Sequence, residues 1–171
     1  NNAQATWEAC VEGWSPTGDR GSLDEDGCLR ITGRKKEIIV TAGGKTVAPA
    51  VLEDRIRAHA LVSQCVVVGD QKPFIGVLLT LDDEMWPLWA KTHGLEDVSI
   101  DQARTHPKVL EALQEAVDRA NEAVSKAESI RKFAVLPGDF TEANGYLTPS
   151  LKLKRNVVMK DYADEVDALY A

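Results

Sequence analysis

The chain has 171 residues, 44% of them hydrophobic and 27% charged, with a formal net charge of −7. This length and composition are typical of one globular domain with a buried core. The acidic balance excludes nucleic acid as the main partner, because binding to a phosphate backbone needs clustered lysines and arginines. No run of about 18 apolar residues is present, so the sequence predicts no transmembrane helix.

The cysteines and histidines form no recognisable ligand pattern. The cysteines, Cys10, Cys28 and Cys65, are widely spaced and form no Cys-x-x-Cys motif. The histidines, His59, His93 and His106, are equally scattered. We therefore predict no disulfide framework, no metal site and a reducing, cytoplasmic environment. The first eight residues contain neither an initiator methionine nor a signal-peptide pattern, so we expect the chain to begin inside a longer protein.

The first half of the chain predicts a β-hairpin, a strand and a helix, followed by two central strands. The turn Asp24-Glu25-Asp26-Gly27 separates strand-like pieces at 22–23 and 28–31. Residues 37–41 favour a strand because they are largely β-branched, and Pro49 suits the start of a helix. The segments predicted as central strands are mostly apolar runs at 64–69 and 74–81, with a turn at 70–73 between them.

The second half predicts helices around one further strand. Residues 83–128 have helical periodicity with a loop at 94–106, and a strand is predicted at 132–136. Asn144-Gly145 indicates a turn, and Arg155 to Tyr170 is predicted as the closing helix. The side chains expected to face the core are Met85, Leu88, Trp89, Leu110, Leu113, Val117, Ala120, Val124, Val158, Tyr162, Val166 and Leu169. The predicted fold class is α+β, with a small central sheet flanked by helices and preceded by the hairpin.

Three segments contain residues that could carry chemistry, and each also has an ordinary structural explanation. Asp19 could accept hydrogen bonds from two ribose hydroxyls, or it could be an Asp in a turn. The basic run Arg34 to Lys36 could neutralise phosphate charge, or it could be a solvated surface. Lys152 could deliver positive charge to an oxyanion or phosphate, or it could belong to a basic surface strand. If that strand is extended, Lys152 and Lys154 face the side opposite the neighbouring leucines.

The sequence Gly43-Gly44-Lys45-Thr46 does not satisfy the pattern of a phosphate-binding loop. That pattern requires a glycine at position 39, which is Ile39 here. Pro49 also intervenes before any long helix that begins at Lys45. We therefore reject a phosphate loop at this position.

Four short motifs follow one another along nearly the whole chain. They are Thr17-Gly18-Asp19, Gly33-Arg34-x-Lys36-Glu37-x-Ile39, Pro49-x-x-x-Glu53 and Pro149-x-x-Lys152-x-x-Arg155. Their order and spacing resemble the C-terminal part of the adenylate-forming acyl-CoA synthetases. Leu151 stands where most branches of that superfamily carry a glycine, and together with Ala48-Pro49 it is similar to the long-chain fatty acid branch.

The resemblance implies a two-step reaction. A carboxylate attacks ATP to give acyl-AMP and pyrophosphate, the small domain rotates, and the CoA thiol then displaces AMP. Asp19 and Arg34 resemble the nucleotide-binding residues. Lys36 resembles the hinge, and Lys152 resembles the catalytic lysine, a position where acetylation would remove the charge. The loop that resembles the pantetheine path of CoA consists of Thr41, Ala42, Gly43, Gly44 and Lys45.

The resemblance also implies a division of the chain and a set of partners. Residues 1–35 would end the large N-terminal domain, and residues 36–171 would form the mobile C-terminal domain. We expect mobility before Gly33 and a compact core from residue 35 onwards. The implied substrates are ATP with Mg²⁺, a fatty acid and CoA, none bound tightly by this chain alone. The main partner would be the N-terminal domain, and the parent enzyme could also associate peripherally with a membrane.

Two alternatives remain open at this stage. The parent enzyme could be a fatty acyl-AMP ligase that passes the acyl group to a carrier protein. The chain could also be a non-catalytic module that binds a nucleotide, CoA or another protein.

Overall fold

The computed structural model describes residues 13–171, which form a mixed α+β fold. The strands are β1 (Asp19–Leu23), β2 (Leu29–Arg34), β3 (Ile39–Val40), β4 (Thr46–Val47), β5 (Val62–Val68), β6 (Ile75–Leu81) and β7 (Ile130–Val135). The helices are α1 (Pro49–Arg57), α2 (Trp86–His93), α3 (Ile100–Ala103), α4 (Pro107–Asn121), α5 (Arg155–Asp161) and α6 (Ala163–Tyr170). A 3₁₀ turn over Lys35–Glu37 joins β2 to the segment before β3. The predicted fold class is confirmed.

The central sheet has the strand order β5-β6-β7. Strands β5 and β6 pair antiparallel, whereas β6 and β7 pair parallel. The parallel pairing requires a long crossover, and α2, α3 and α4 supply it. Every residue of β6 is buried because both faces of the sheet are covered, which explains why its sequence is apolar apart from Thr80.

Alternate residues of the central strands face two separate hydrophobic clusters. One cluster joins the sheet to α1 and α4, and it includes Cys65, Val67, Ile75, Val77, Leu79, Leu52, Ile56, Leu113 and Val117. The other joins the sheet to α5 and α6, and it includes Val66, Val68, Leu78, Val158, Val166 and Leu169. The sheet is therefore the middle layer between two groups of helices.

The predicted hairpin is formed by β1 and β2, which pair antiparallel. Its turn is held by Asp24, whose Oδ1 accepts hydrogen bonds from the backbone N–H groups of Asp26 (3.1 Å) and Cys28 (2.8 Å). Leu23, Leu29 and Ile31 are 71%, 65% and 58% exposed, so the hairpin presents apolar side chains to solvent. The expected mobility before Gly33 stays a prediction, and its part at residues 1–12 lies outside the described residues.

The predicted helical region at 83–128 differs from the structure in three details. The expected loop at 94–106 contains α3, which begins at a capping box formed by Ser99 and Gln102. Leu88 is 60% exposed because the buried face of α2 consists of Trp86 and Ala90 instead. Helix α4 ends at Asn121, so Val124 packs on the core from the following turn.

The remaining differences concern two elements that are shorter than predicted. The strand expected at 37–41 is reduced to β3, because residues 35–37 form the 3₁₀ turn. The closing helix is divided at Tyr162, whose backbone has φ −111° and ψ 31°. This break lets α5 and α6 direct Val158 and Leu169 into the same cluster, as their burial shows.

Candidate functional site

The hairpin register places Asp19 directly opposite Arg34. Arg34 Nε lies 3.7 Å from Asp19 Oδ1, and both side chains remain accessible to solvent, at 63% and 31% exposure. The Thr17 hydroxyl oxygen accepts the Asp19 N–H at 3.2 Å, and the Gly18 carbonyl accepts the Lys35 N–H at 2.7 Å. Two predicted nucleotide-binding residues therefore lie side by side at the base of the hairpin.

A cavity of about 870 Å³ lies between this region and the start of α5. Arg34 and Lys36 line one side of the cavity, and Lys154 and Arg155 also belong to its lining. Glu37 is the acidic residue in the lining, so positive charge predominates. An electropositive cavity of this size suits an anionic ligand.

Lys152 lies on a loop whose backbone is held by Thr148. The Thr148 N–H donates to the Lys152 carbonyl (2.8 Å), and the Lys152 N–H donates to the Thr148 hydroxyl oxygen (3.0 Å). Lys152 is exposed, and within residues 13–171 it has no carboxylate partner. It does not belong to the lining of the 870 Å³ cavity, so the structure does not bring it together with Arg34.

The segment is not extended at Leu151, so the condition under which Lys152 and Lys154 would face one side is not met. The φ of Leu151 is +56°, in the left-handed region, and its side chain is 71% exposed, whereas Leu153 is half-buried. The cause is a tight turn, in which the Leu151 N–H donates to the Thr148 carbonyl at 2.8 Å. A left-handed conformation costs a non-glycine residue about 1–2 kcal/mol.

The segment from Thr41 to Lys45 is the connection between β3 and β4. The Thr41 side chain is buried, and its hydroxyl oxygen accepts the Lys45 N–H at 3.1 Å. The Ala42 N–H donates to the Lys72 carbonyl at 2.9 Å, and Lys45 Nζ lies 3.4 Å from Glu128 Oε1. Hydrogen bonds from Ser125 are the main cause that lowers the pKa of Glu128, and Lys45 contributes further. The loop is thus anchored at both ends.

Sequence reasoning assigned no role to Glu53 or Arg155, although both belong to the motifs. Arg155 Nη2 donates to Glu53 Oε1 at 2.6 Å, and Arg155 Nη1 donates to the Val67 carbonyl at 2.9 Å. Glu53 Oε1 also accepts the Val67 N–H at 2.8 Å. The pair therefore provides hydrogen-bond partners for the N–H and the carbonyl of Val67 at the outer edge of β5. It also fixes the start of α5, three residues after Lys152.

A second anchor that sequence reasoning missed is Asp139, before the Lys152 loop. Its carboxylate accepts hydrogen bonds from the hydroxyls of Ser63 (2.5 Å) and Thr80 (2.6 Å) and from the Phe140 N–H (2.7 Å). Thr80 Oγ1 in turn accepts the Gln64 N–H at 3.0 Å. The segment that leads to Lys152 is therefore tied to the central sheet.

Residues 13–171 contain no group of three or more His, Cys, Asp or Glu side chains that could hold a metal ion. No helix in the same range is both long and apolar enough to cross a membrane.

Residues 36–171 match the sequence profile of the AMP-binding enzyme C-terminal domain, and the chain therefore belongs to this family. The resemblance identified from the motifs is confirmed. The long-chain-fatty-acid–CoA ligase FadD15 of Mycobacterium tuberculosis is 57% identical, over 99% of this chain and 28% of that protein. The long-chain-fatty-acid–CoA ligase ACSBG1 of Homo sapiens is 36% identical, over 93% of this chain and 24% of that protein. The chain thus spans about a quarter of the length of these relatives.

Solved structures share the fold. The adenylation domain of a carboxylate reductase from Mycobacterium chelonae has a TM-score of 0.76 at 24% identity, over 98% of this chain and 25% of that one. The o-succinylbenzoate CoA synthetase MenE from Bacillus subtilis, in complex with the acyl-adenylate intermediate OSB-AMP, has a TM-score of 0.59 at 26% identity. That match covers 91% of this chain and 26% of the synthetase.

Proposed function

We propose that this chain is the C-terminal part of an AMP-forming long-chain fatty acyl-CoA ligase. The parent enzyme would convert ATP, a fatty acid and CoA into acyl-CoA, AMP and pyrophosphate through acyl-AMP. The observation that carries this proposal is the 57% identity to a long-chain-fatty-acid–CoA ligase over 99% of the chain. The acyl-adenylate bound to the related synthetase supports the same intermediate.

Lys152 is proposed as the catalytic lysine of the first step. The fatty acid carboxylate and the α-phosphate of ATP are both anions, so a cation between them lowers their repulsion as the new bond forms and pyrophosphate leaves. The exposure of Lys152 and its lack of a carboxylate partner within residues 13–171 support this role. A lysine that must leave before the second step also belongs on a movable body.

Asp19 and Arg34 are proposed to hold the nucleotide. The Asp19 carboxylate would accept hydrogen bonds from the ribose hydroxyls, and Arg34 would donate to the same nucleotide. Their 3.7 Å separation and their exposure support a shared ligand. No step is assigned to magnesium, because the described residues 13–171 offer no cluster of ligands for it.

We further propose that the domain boundary falls at Lys36, with residues 1–35 completing the N-terminal domain. The exposed apolar side chains of the hairpin support this division, since they would be covered by the rest of that domain. Lys36 lies in an exposed 3₁₀ turn, where a few backbone dihedral angles can change without disturbing the core. Rotation about this hinge would exchange Lys152 for the Thr41–Lys45 loop at the active site.

The acceptor of the acyl group is proposed to be CoA, with the Thr41–Lys45 loop along its pantetheine arm. The test is to assay the full-length protein with ATP and a long-chain fatty acid, offering either CoA or a carrier protein. Thioester formation with CoA is expected. Thioester formation only on the carrier protein would instead support a fatty acyl-AMP ligase.

A non-catalytic binding module is the competing function. Calorimetry of this chain alone with ATP separates the two, because one carboxylate and one arginine form only part of a nucleotide site. We expect no measurable heat of binding. Micromolar affinity for ATP in the isolated chain would favour the module.

A further inference from the structure

A second cavity, of about 490 Å³, lies at the junction of α1, α2 and α4. Its larger lining side chains are Arg55, His59, Trp89 and Arg119, and its other lining residues are alanines. We call it the arginine pocket. It shares no lining residue with the 870 Å³ cavity beside Arg34. Its volume falls within the range of about 300–1,000 Å³ that is usual for small-molecule sites.

Two guanidinium groups of the arginine pocket lack an acidic partner. Within residues 13–171, neither Arg55 nor Arg119 forms an ion pair, whereas Arg57 on the same helix as Arg55 pairs with Asp54. Arg119 Nε donates to the Glu115 carbonyl at 3.3 Å, which leaves its two terminal nitrogens available. In a chain of net charge −7, this is a local concentration of positive charge, with Glu115 as the acidic residue that acts on His59 against Arg119.

His59 adds a directed hydrogen-bond donor. Its Nδ1 accepts the Leu61 N–H at 3.2 Å, so Nε2 carries the proton in the neutral ring. Burial is the main cause that lowers the pKa of His59, Arg119 lowers it further, and Glu115 opposes them. Arg119 and His59 therefore line the same pocket and interact electrostatically.

Trp89 gives the arginine pocket a rigid wall. Its ring stacks on His93, with a centroid separation of 3.8 Å and an interplanar angle of 11°, and on Trp86 at 5.8 Å. An aromatic wall beside two guanidinium groups suits a ligand that combines an anion with an organic body.

We propose that the arginine pocket binds a phosphorylated small molecule, with Arg55 and Arg119 contacting the phosphate and His59 Nε2 donating a hydrogen bond. Two guanidinium groups match a phosphate dianion, since each can donate two parallel hydrogen bonds. The cavity is also much larger than a bare ion requires. The site shares no residue with the nucleotide-binding pair, the hinge, the Thr41–Lys45 loop or Lys152.

The test is an NMR titration of this chain with ribose 5-phosphate, followed at the His59 ring, with ribose as the uncharged control. We expect saturable shifts and a rise in the pKa of His59 with ribose 5-phosphate, and neither with ribose. Arg55→Gln and Arg119→Gln should each weaken binding by about tenfold, the loss expected for one charge-assisted contact. Arg131→Gln, which changes an exposed arginine outside the pocket, should leave the affinity unchanged.

Two results would overturn the proposal. One is a shift at His59 that grows linearly with ribose 5-phosphate and does not saturate. The other is binding that persists in the Arg55→Gln/Arg119→Gln double variant, because the phosphate contacts would then lie elsewhere. Arg119→Gln should also raise the pKa of His59 without ligand, because Arg119 lowers it in the folded chain. A dispersed amide spectrum of the variant separates this effect from unfolding, which would raise the same pKa by exposing the ring.

Discussion

Removing either partner of the ion pair between Glu53 and Arg155 should be strongly destabilising, because one carboxylate oxygen satisfies two donors at the edge of β5. The Glu53 side chain is 12% exposed and the Arg155 side chain 22% exposed, so neither is well solvated if its partner is removed. Glu53→Ala leaves the Val67 N–H without an acceptor, at a cost of about 1–3 kcal/mol. It also leaves the Arg155 charge uncompensated.

These two losses set the expected magnitude. Removing one partner of a buried pair costs about 3–5 kcal/mol, and the partial exposure of Arg155 places Glu53→Ala near the lower limit, at about 3 kcal/mol. Arg155→Ala should cost a similar amount. Glu53→Gln keeps an oxygen for the Val67 N–H and loses the charge, so about 1–2 kcal/mol is expected.

The assay is urea unfolding followed by far-UV circular dichroism, with the free energy of unfolding extrapolated to water. The matched controls are Asp54→Ala and Arg57→Ala, which remove an exposed ion pair on the same helix and should each cost under about 0.5 kcal/mol. In a double-mutant cycle, the losses from Glu53→Ala and Arg155→Ala should fail to add by at least about 1 kcal/mol. Additive losses, or losses as small as those of the controls, would refute the reasoning.

Three further predictions concern one buried and two half-buried side chains. Burial raises the pKa of the Cys65 thiol, so in a Cys10→Ser/Cys28→Ser background a thiol reagent should react with Cys65 only after unfolding. The exposed Cys28 should react at once in a Cys10→Ser/Cys65→Ser background. Rapid labelling of native Cys65 would contradict its burial. Burial lowers the pKa of His59 in the folded state, so its contribution to stability is present above the unfolded pKa of about 6.5 and is lost as the pH falls below it. His59→Gln should therefore flatten the dependence of the free energy of unfolding on pH between neutral and mildly acidic pH. An unchanged slope would count against a lowered pKa of His59. Asp139→Ala leaves the hydroxyls of Ser63 and Thr80 without their acceptor, so urea unfolding should show a loss of about 2–3 kcal/mol, and Asp139→Asn should lose less. Equal stability of the wild type and both variants would show that these hydrogen bonds do not form.

The sequence predicted those parts of the fold that depend on local patterns. The mostly apolar runs identified β5 and β6, because a strand covered on both faces does not alternate between apolar and polar residues. The Asp-Gly turn identified the hairpin, and the hairpin in turn brings Asp19 beside Arg34. The boundaries of the helices were less accurate, since the division at Tyr162 serves the packing of two helices on one cluster and leaves no local signal.

The site was only partly predictable because its supporting contacts are long-range. Glu53 and Arg155 are 102 positions apart, and Ser63 and Asp139 are 76 positions apart, so no spacing rule relates them. The left-handed backbone at Leu151 could not be predicted either, because the alternation of leucine and lysine in this segment is typical of an extended strand. The resemblance to known enzymes supplied the candidate residues, whereas the structure supplied the contacts that hold their loops.

The catalytic assignment of Lys152 is the central claim, and separating the two half-reactions of the full-length enzyme tests it most directly. Lys152→Ala should lower pyrophosphate release from ATP and fatty acid by about 10²–10³-fold, because the charge between two anions is lost. The same variant should still convert supplied acyl-AMP and CoA into acyl-CoA, and the exposed Lys160→Ala control should retain both steps. Unchanged pyrophosphate release by Lys152→Ala would contradict the catalytic role proposed for Lys152.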